Sequence, residues 1–384
     1  MKKKLIVLFL CFSIYHLFSQ QTEKTILFLL PFELDEMKQA SNTPFENEND
    51  INMYPSFKMM GFWEGAKMAI DRYDNPNVKL NIIVRDISYD EGKLKETLTG
   101  LSNTKIDLII GPLYAKLFTI AAEYARQRKI PIVNPFSTRR DFLDSNAYVY
   151  KLIPAPQKQP EILYNLLIQY DKNANIILWT NGSDDSITVN YYKNYFSKIK
   201  RPFHTVKLSQ GIPGLNTKLN KNANNIILAF YENNARIISN LQTLSLKSDT
   251  NITIIAPESW LQYQNIDFLF FESLHLHFFS NFYINRQDEK TELFKMDYIE
   301  QYQSPPTLER FSYQGYDITR YFIELMVQNF DSSKVKFEPL SFDFDFVRVN
   351  GNGYENTKSR LISFRNYELI EIQPLPQNAP LNND

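Results

Sequence analysis

The feature that most constrains this chain is an alternation that occurs twice. Continuous apolar runs of strand length are each followed by a stretch in which apolar residues fall every three or four positions. A run that is apolar at every position must be covered on both faces, and parallel strands sandwiched between helices meet that condition. In the first unit the strands read from these runs are 25–30, 78–84 (interrupted by Lys79 and Asn81), 106–110 (interrupted by Asp107) and 130–133, stopped at Pro31, near Asp86, at Gly111-Pro112 and at Asn134-Pro135. Between them Met59, Phe62, Trp63, Ala66, Ala69, Ile70 and Tyr73 form one helical stripe. Further helices are predicted over 91–101 and from Leu113 to Ala125. Strands interleaved with helices require crossover connections, so the sheet is parallel.

Residues 148–153, followed by Pro154-Ala155-Pro156, lead out of this unit. A second unit has strands at 175–179, 203–208, 225–230, 252–256 and 274–279, and the chain leaves it at Asn281. Two long helices follow at about 289–303 and 308–329, then short strands at 342–349, 359–364 and 367–372 with a turn at Gly351-Asn352-Gly353. The stretch 33–56, rich in Asn and Glu, is predicted as a long loop. The fold class is therefore α/β with two units of similar size.

The first nineteen residues are an address rather than a structural element. Lys2, Lys3 and Lys4 precede an apolar run from Leu5 to Phe18, and Ser19 closes it, the pattern of a cleaved secretory signal peptide over 1–19. Leu10 stands before Cys11 where a lipidated cysteine is preceded by a small residue, which argues against a lipid anchor. Cys11 is the only cysteine, so the expected mature chain has no disulfide and no thiol chemistry. The expected location is the periplasm.

Several classes of chemistry find no support. Lys and Arg number 42 against 43 Asp and Glu, so no net field favours nucleic acid. With only 11 glycines there is no phosphate-binding loop and no dinucleotide fingerprint, and no cofactor is expected. The one Gly-Ser step, Gly182-Ser183-Asp184, lacks the flanks of a nucleophile elbow. His275 and His277 are spaced to share a strand face, but no third ligand lies nearby, and no metal site is expected. An enzyme is not predicted.

What remains is at the strand ends, where parallel α/β sheets collect ligands beside helix N-termini. Those ends carry Asp86, Tyr114, Asn134, Ser137, Thr138, Asn181, Tyr231, Glu232, Glu258 and Trp260. Hydroxyls, rings and a carboxylate together suit a small polar ligand.

Here the chain resembles the type I periplasmic binding proteins, in the branch with the leucine/isoleucine/valine-binding proteins of ABC importers. The resemblance is carried by 62–70 (FWEGAKMAI), Asp86, 106–112 (IDLIIGP), 130–135 (IPIVNP), 148–151 (YVYK) and 313–317 (YQGYD). It implies two doubly wound parallel-sheet lobes joined by a three-segment hinge, with the ligand clasped between them. Lobe 1 would comprise 20–152 and 281–335, lobe 2 would comprise 153–280 and 336–373, with a last crossing near 331–341 and a flexible tail at 374–384. It also implies a ligand site of Tyr114, Ala115, Ser137, Thr138, Tyr231, Glu258 and Trp260. Ser137 and Thr138 match a loop holding an amino acid's carboxylate, and Glu258 matches the acid that pairs with its ammonium. Ala115 departs from the family's small hydroxyl residue. The implied function is capture of a small polar ligand, an amino acid or short peptide, for delivery to a membrane permease. The alternative is a ligand-sensing or envelope-protein interaction module of the same fold.

Overall fold

The computed structural model describes residues 21–40, 55–181, 186–232, 234–247, 251–263, 266–306, 309–366 and 368–372. The proposed signal peptide, the step Gly182-Ser183-Asp184, Asn233 and the tail 374–384 lie outside the described residues.

Among the described residues, fourteen strands form two seven-stranded sheets. The first contains β1 (Thr22–Leu30), β2 (Val78–Asp86), β3 (Leu108–Ile110), β4 (Ile132–Asn134), β5 (Val149–Lys151), β11 (Phe346–Arg348) and β12 (Tyr354–Asn356). Their order across the sheet is β11-β12-β5-β4-β3-β1-β2, parallel except for the β11–β12 pair. The second contains β6 (Asn175–Thr180), β7 (His204–Lys207), β8 (Asn225–Phe230), β9 (Ile252–Ala256), β10 (Leu276–Ser280), β13 (Arg360–Arg365) and β14 (Glu368–Glu371). It runs β14-β13-β10-β9-β8-β6-β7, with β13 and β14 antiparallel to their neighbours. The fully apolar central strands are buried along their lengths, as a sheet with helices on both faces demands.

The helices are α1 (Leu34–Ala40), α2 (Pro55–Asp71), α3 (Glu91–Gly100), α4 (Ala115–Arg128), α5 (Gln159–Leu166), α6 (Ile187–Lys198), α7 (Gly211–Asn216), α8 (Asn234–Ser245), α9 (Phe268–Ser273), α10 (Glu289–Tyr302) and α11 (Glu309–Val327). Helix α1 stands inside the stretch read from sequence as loop; residues 41–54 lie outside the described set. Among the described residues no helix is long and apolar enough to cross a membrane.

Helices α2 and α11 come from opposite ends of the chain and pack in direct backbone contact. A Cβ on Gly65 would stand 1.8 Å from the Ser312 carbonyl oxygen, and one on Gly315 would stand 1.9 Å from the Phe62 carbonyl oxygen. Each glycine is therefore fixed by the other helix's backbone, not by its own conformation.

The chain passes between the sheets three times, after β5, after β10 and after β12. The third passage corrects the sequence reading. Strands β11 and β12 belong to the first sheet, since Tyr354 and Glu355 register with Tyr150 and Lys151. The last crossing is therefore at 357–359, not near 331–341, and residues 346–356 complete lobe 1 rather than lobe 2. The cause is a buried ion pair: Lys151 Nζ lies 3.0 Å from Glu355 Oε1, with both side chains excluded from solvent. The same carboxylate oxygen accepts the Ala155 amide of the first crossing at 2.8 Å. Ser359 donates to the Asn281 side chain, tying the third crossing to the second.

Candidate functional site

The carboxyl ends of β3 and β4 open onto a cleft of about 650 Å³. Tyr114 and Ala115 reach it from the turn that starts α4, and Phe136, Ser137 and Thr138 from the loop after β4. Ile153 and Asn281 of the first two crossings line it too, so the cleft lies where the lobes join. Phe136 packs edge to face against Phe62 of α2 and Phe311 of α11, both with ring centroids 5.8 Å away. That aromatic row fixes the loop on the α2–α11 pair.

The polar side of the cleft is built from short local bonds. Asn134 ends β4, and its carboxamide oxygen accepts the Ser137 amide at 2.7 Å, folding the loop back. The Ser137 hydroxyl oxygen accepts the Arg139 amide at 3.2 Å, which leaves its own proton to donate. Helix α4 begins at Tyr114 with no side-chain cap, so its first-turn amides are free to meet an anion beside Ala115. The absence of a hydroxyl at Ala115 leaves that duty to the amides.

Lys58 and Arg310 add charge. Neither has a carboxylate partner among the described residues, and the Arg310 guanidinium stacks 5.3 Å over the Phe282 ring. Arg139 is held by the Asp141 carboxylate and contributes little net charge. Among the described residues lining this cleft, none is acidic.

At the wall formed by α11, Gln314 is 1% exposed, and neither its oxygen nor its nitrogen has a hydrogen-bond partner among the described residues. Gln314 stands in the stretch 313–317 (YQGYD), where sequence alone suggests no role for it. Its signal was present: it stands three residues after Phe311 and four before Ile318, on the apolar stripe of α11.

The remaining expected site residues are placed elsewhere. Glu258 lines a second cavity of about 440 Å³ with Tyr283, Arg310 and Glu368, and its carboxylate accepts the Ser280 hydroxyl at 3.1 Å. Arg310 is shared by the two cavities. Tyr231 and Trp260 are core residues of lobe 2: the Trp260 indole donates to the Tyr231 carbonyl at 3.0 Å, and the rings meet at 5.4 Å. Their expected contact with ligand is not what this structure presents, because the turn after β9 points Trp260 into the sheet. Burial pushes the Tyr231 phenol well above its ordinary pKa, against the smaller lowering effect of the hydrogen bond it accepts from Asn240.

Asp86 is committed to the backbone. Burial opposes its charge, but the amides of Ser88 and Leu34 and the Lys93 ammonium outweigh that and hold its carboxyl below the usual range. His275 precedes β10 and is exposed, while His277 is buried with Nδ1 2.6 Å from the His275 carbonyl. The two do not share a strand face as the spacing suggested. Among the described residues no group of three His, Cys, Asp or Glu is placed to hold a metal ion.

A chain with this two-sheet topology and a cleft at the lobe junction has the architecture of a ligand-binding region. The model of the family described as "Receptor family ligand binding region" matches residues 64–336, more than half of the sequence, and the protein belongs to that family. Solved structures agree on the fold. A putative branched-chain amino acid ABC transporter protein from Rhodospirillum rubrum superposes with a TM-score of 0.64 at 11% identity, covering 91% of this chain and all of that one. An ABC transporter substrate-binding protein from Desulfitobacterium hafniense gives 0.57 at 15% identity, with 91% and 100% covered. Full-length LpoA from Haemophilus influenzae gives 0.58 at 12% identity, covering 93% of this chain and 60% of that one. No curated protein matches in sequence. The fold is thus that of the type I periplasmic binding proteins.

Proposed function

We propose that this protein is exported to the periplasm and captures a small polar ligand between its lobes, acting as the substrate-binding component of an ABC-type importer. The observation that carries the reading is the convergence at the lobe junction. Ser137, Thr138 and the uncapped start of α4 face one cleft, with crossing residues Ile153 and Asn281 in its wall. A ligand held there touches the segments that must bend when the lobes rotate, so its binding energy biases the open–closed equilibrium.

The reading is tested on protein exported from its native host with the first nineteen residues present. Mass spectrometry of small molecules released on denaturation should show one species in near-stoichiometric amount. Small-angle scattering should then show the ligand-free protein to be more extended than the complex. A second reading, an envelope interaction module, draws on the displacement of Tyr231, Trp260 and Glu258 from the cleft, which leaves lobe 2 with fewer ligand contacts. Absence of any released ligand, with unchanged scattering across a metabolite panel, would decide for that module.

A further inference from the structure

We infer that the cleft selects a small organic carboxylate that lacks an α-ammonium and carries a second polar oxygen, with 2-oxo acids as the matching class. The inference rests on the ligand-capture reading and sharpens it. Three observations lead to it, each about a different part of the ligand.

The first concerns charge. The cleft presents the Ser137 proton, the Thr138 hydroxyl, the free amides at the start of α4, and the Lys58 and Arg310 cations. All of these stabilise an anion, and among the described residues nothing acidic lines the cleft to receive a cation. An ammonium placed here would be desolvated against positive charge with no counter-ion, an arrangement that proteins avoid. Glu258, the acid expected to meet an ammonium, lines the other cavity and is engaged by Ser280.

The second concerns the body of the ligand. Met59, Leu113, Phe136, Ile153 and Phe311 give the cleft an apolar wall that suits a short aliphatic or aromatic chain. The third concerns Gln314. Its buried carboxamide has no partner for donor or acceptor among the described residues, although the residue lies in the cleft wall. Buried polar groups without partners are rare in folded proteins, and at a cleft they mark where a ligand supplies the missing bond. The Gln314 amide is a donor suited to a ligand carbonyl, the group a 2-oxo acid has in place of the ammonium.

The test uses pairs of compounds that differ only at that atom: leucine against 4-methyl-2-oxopentanoate, and glutamate against 2-oxoglutarate. Binding to the full exported chain is followed by calorimetry and by ligand-dependent thermal shift. The expected result is that at least one oxo acid binds at least tenfold more tightly than its amino-acid partner. Arg310→Gln should then weaken the oxo acid about tenfold, the scale of losing a charged hydrogen-bond partner. Gln314→Met should weaken it roughly fivefold and bring it close to its 2-deoxy analogue, 4-methylpentanoate or glutarate. Amino acids that bind as tightly as their oxo partners would overturn the inference while leaving ligand capture intact. Equal binding of the oxo and deoxy acids would overturn the role given to Gln314 and with it the 2-oxo class. No binding by either member of any pair, where the native-host preparation still releases a ligand, would refute the selectivity alone; if that preparation releases nothing, both readings fall.

Discussion

Replacing Gln314 by methionine should make the ligand-free protein more stable while impairing its ligand binding. Methionine has nearly the volume of glutamine, so the packing of α11 beside Phe311 and Ile318 is kept and only the polar atoms are lost. Both atoms of the native carboxamide are buried and without a protein partner. An unsatisfied buried amide costs about 1–3 kcal/mol, and an apolar group of the same shape does not carry that cost. Taking the middle of that range, equilibrium unfolding in urea should show a gain of roughly 2 kcal/mol in the lobe 1 transition. With a slope of about 2 kcal/mol per molar for a domain of this size, the midpoint should rise by about 1 M. The assay is urea unfolding followed by tryptophan fluorescence and circular dichroism, on ligand-stripped protein at neutral pH. An unchanged or lowered midpoint with the same slope would refute the reasoning, since it would mean that the carboxamide already has its hydrogen bonds in solution.

Three further perturbations follow from the geometry. Lys151→Met leaves the Glu355 carboxylate buried without its counter-charge and should cost about 3–5 kcal/mol in urea unfolding; pairing it with Glu355→Gln should recover most of that loss. Gly315→Ala places a methyl group against the Phe62 carbonyl and should lower stability by about 3 kcal/mol, and adding Gly65→Ala should cost less than its single effect because the two helices are already forced apart. His277 is held neutral chiefly by burial, its pKa depressed to about 4 from the ordinary 6.5. The unfolded chain binds this proton more readily than the folded one, so the native state loses stability as pH falls from 6.5 towards 4, up to about 3 kcal/mol. Asp317 works the other way over much of the same range, its pKa pushed up to about 6 by burial, so the check is the difference between wild type and His277→Phe. That difference should shrink the acid loss; parallel pH profiles would sink the assignment.

Much of the architecture was legible because it is written in local patterns. The apolar runs at 225–230 and 252–256 coincide with β8 and β9, and the strand stops at Gly111-Pro112 and Asn134-Pro135 mark the mouth of the cleft. Tyr114, Ser137 and Thr138 are site candidates because ligands gather at such ends, Ala115 by the resemblance, and all four line the cleft. The rest depends on contacts that no local window contains. Strand β12 is three residues, Tyr354-Glu355-Asn356, too short and polar to read as a strand from sequence, and its Glu355 is neutralised by Lys151, 204 positions away. Trp260 and Tyr231 carry the composition of a binding site, yet Tyr231 is buried just past β8 and the direction of Trp260 is set by the turn after β9. Glu258 is displaced for the same reason.

The pairing of β12 with β5 also orders events in time. Synthesis proceeds from the N-terminus, so Lys151 emerges long before Glu355, and strands β6 to β10 of lobe 2 are made in the interval. Until the final segment arrives, β5 is an open sheet border with a lysine that has no counter-ion, and lobe 1 stays unfinished. Truncated genes ending before Tyr354 are therefore poor sources of either half, and dissecting this molecule into autonomous pieces calls for grafting 346–356 directly behind the first five strands.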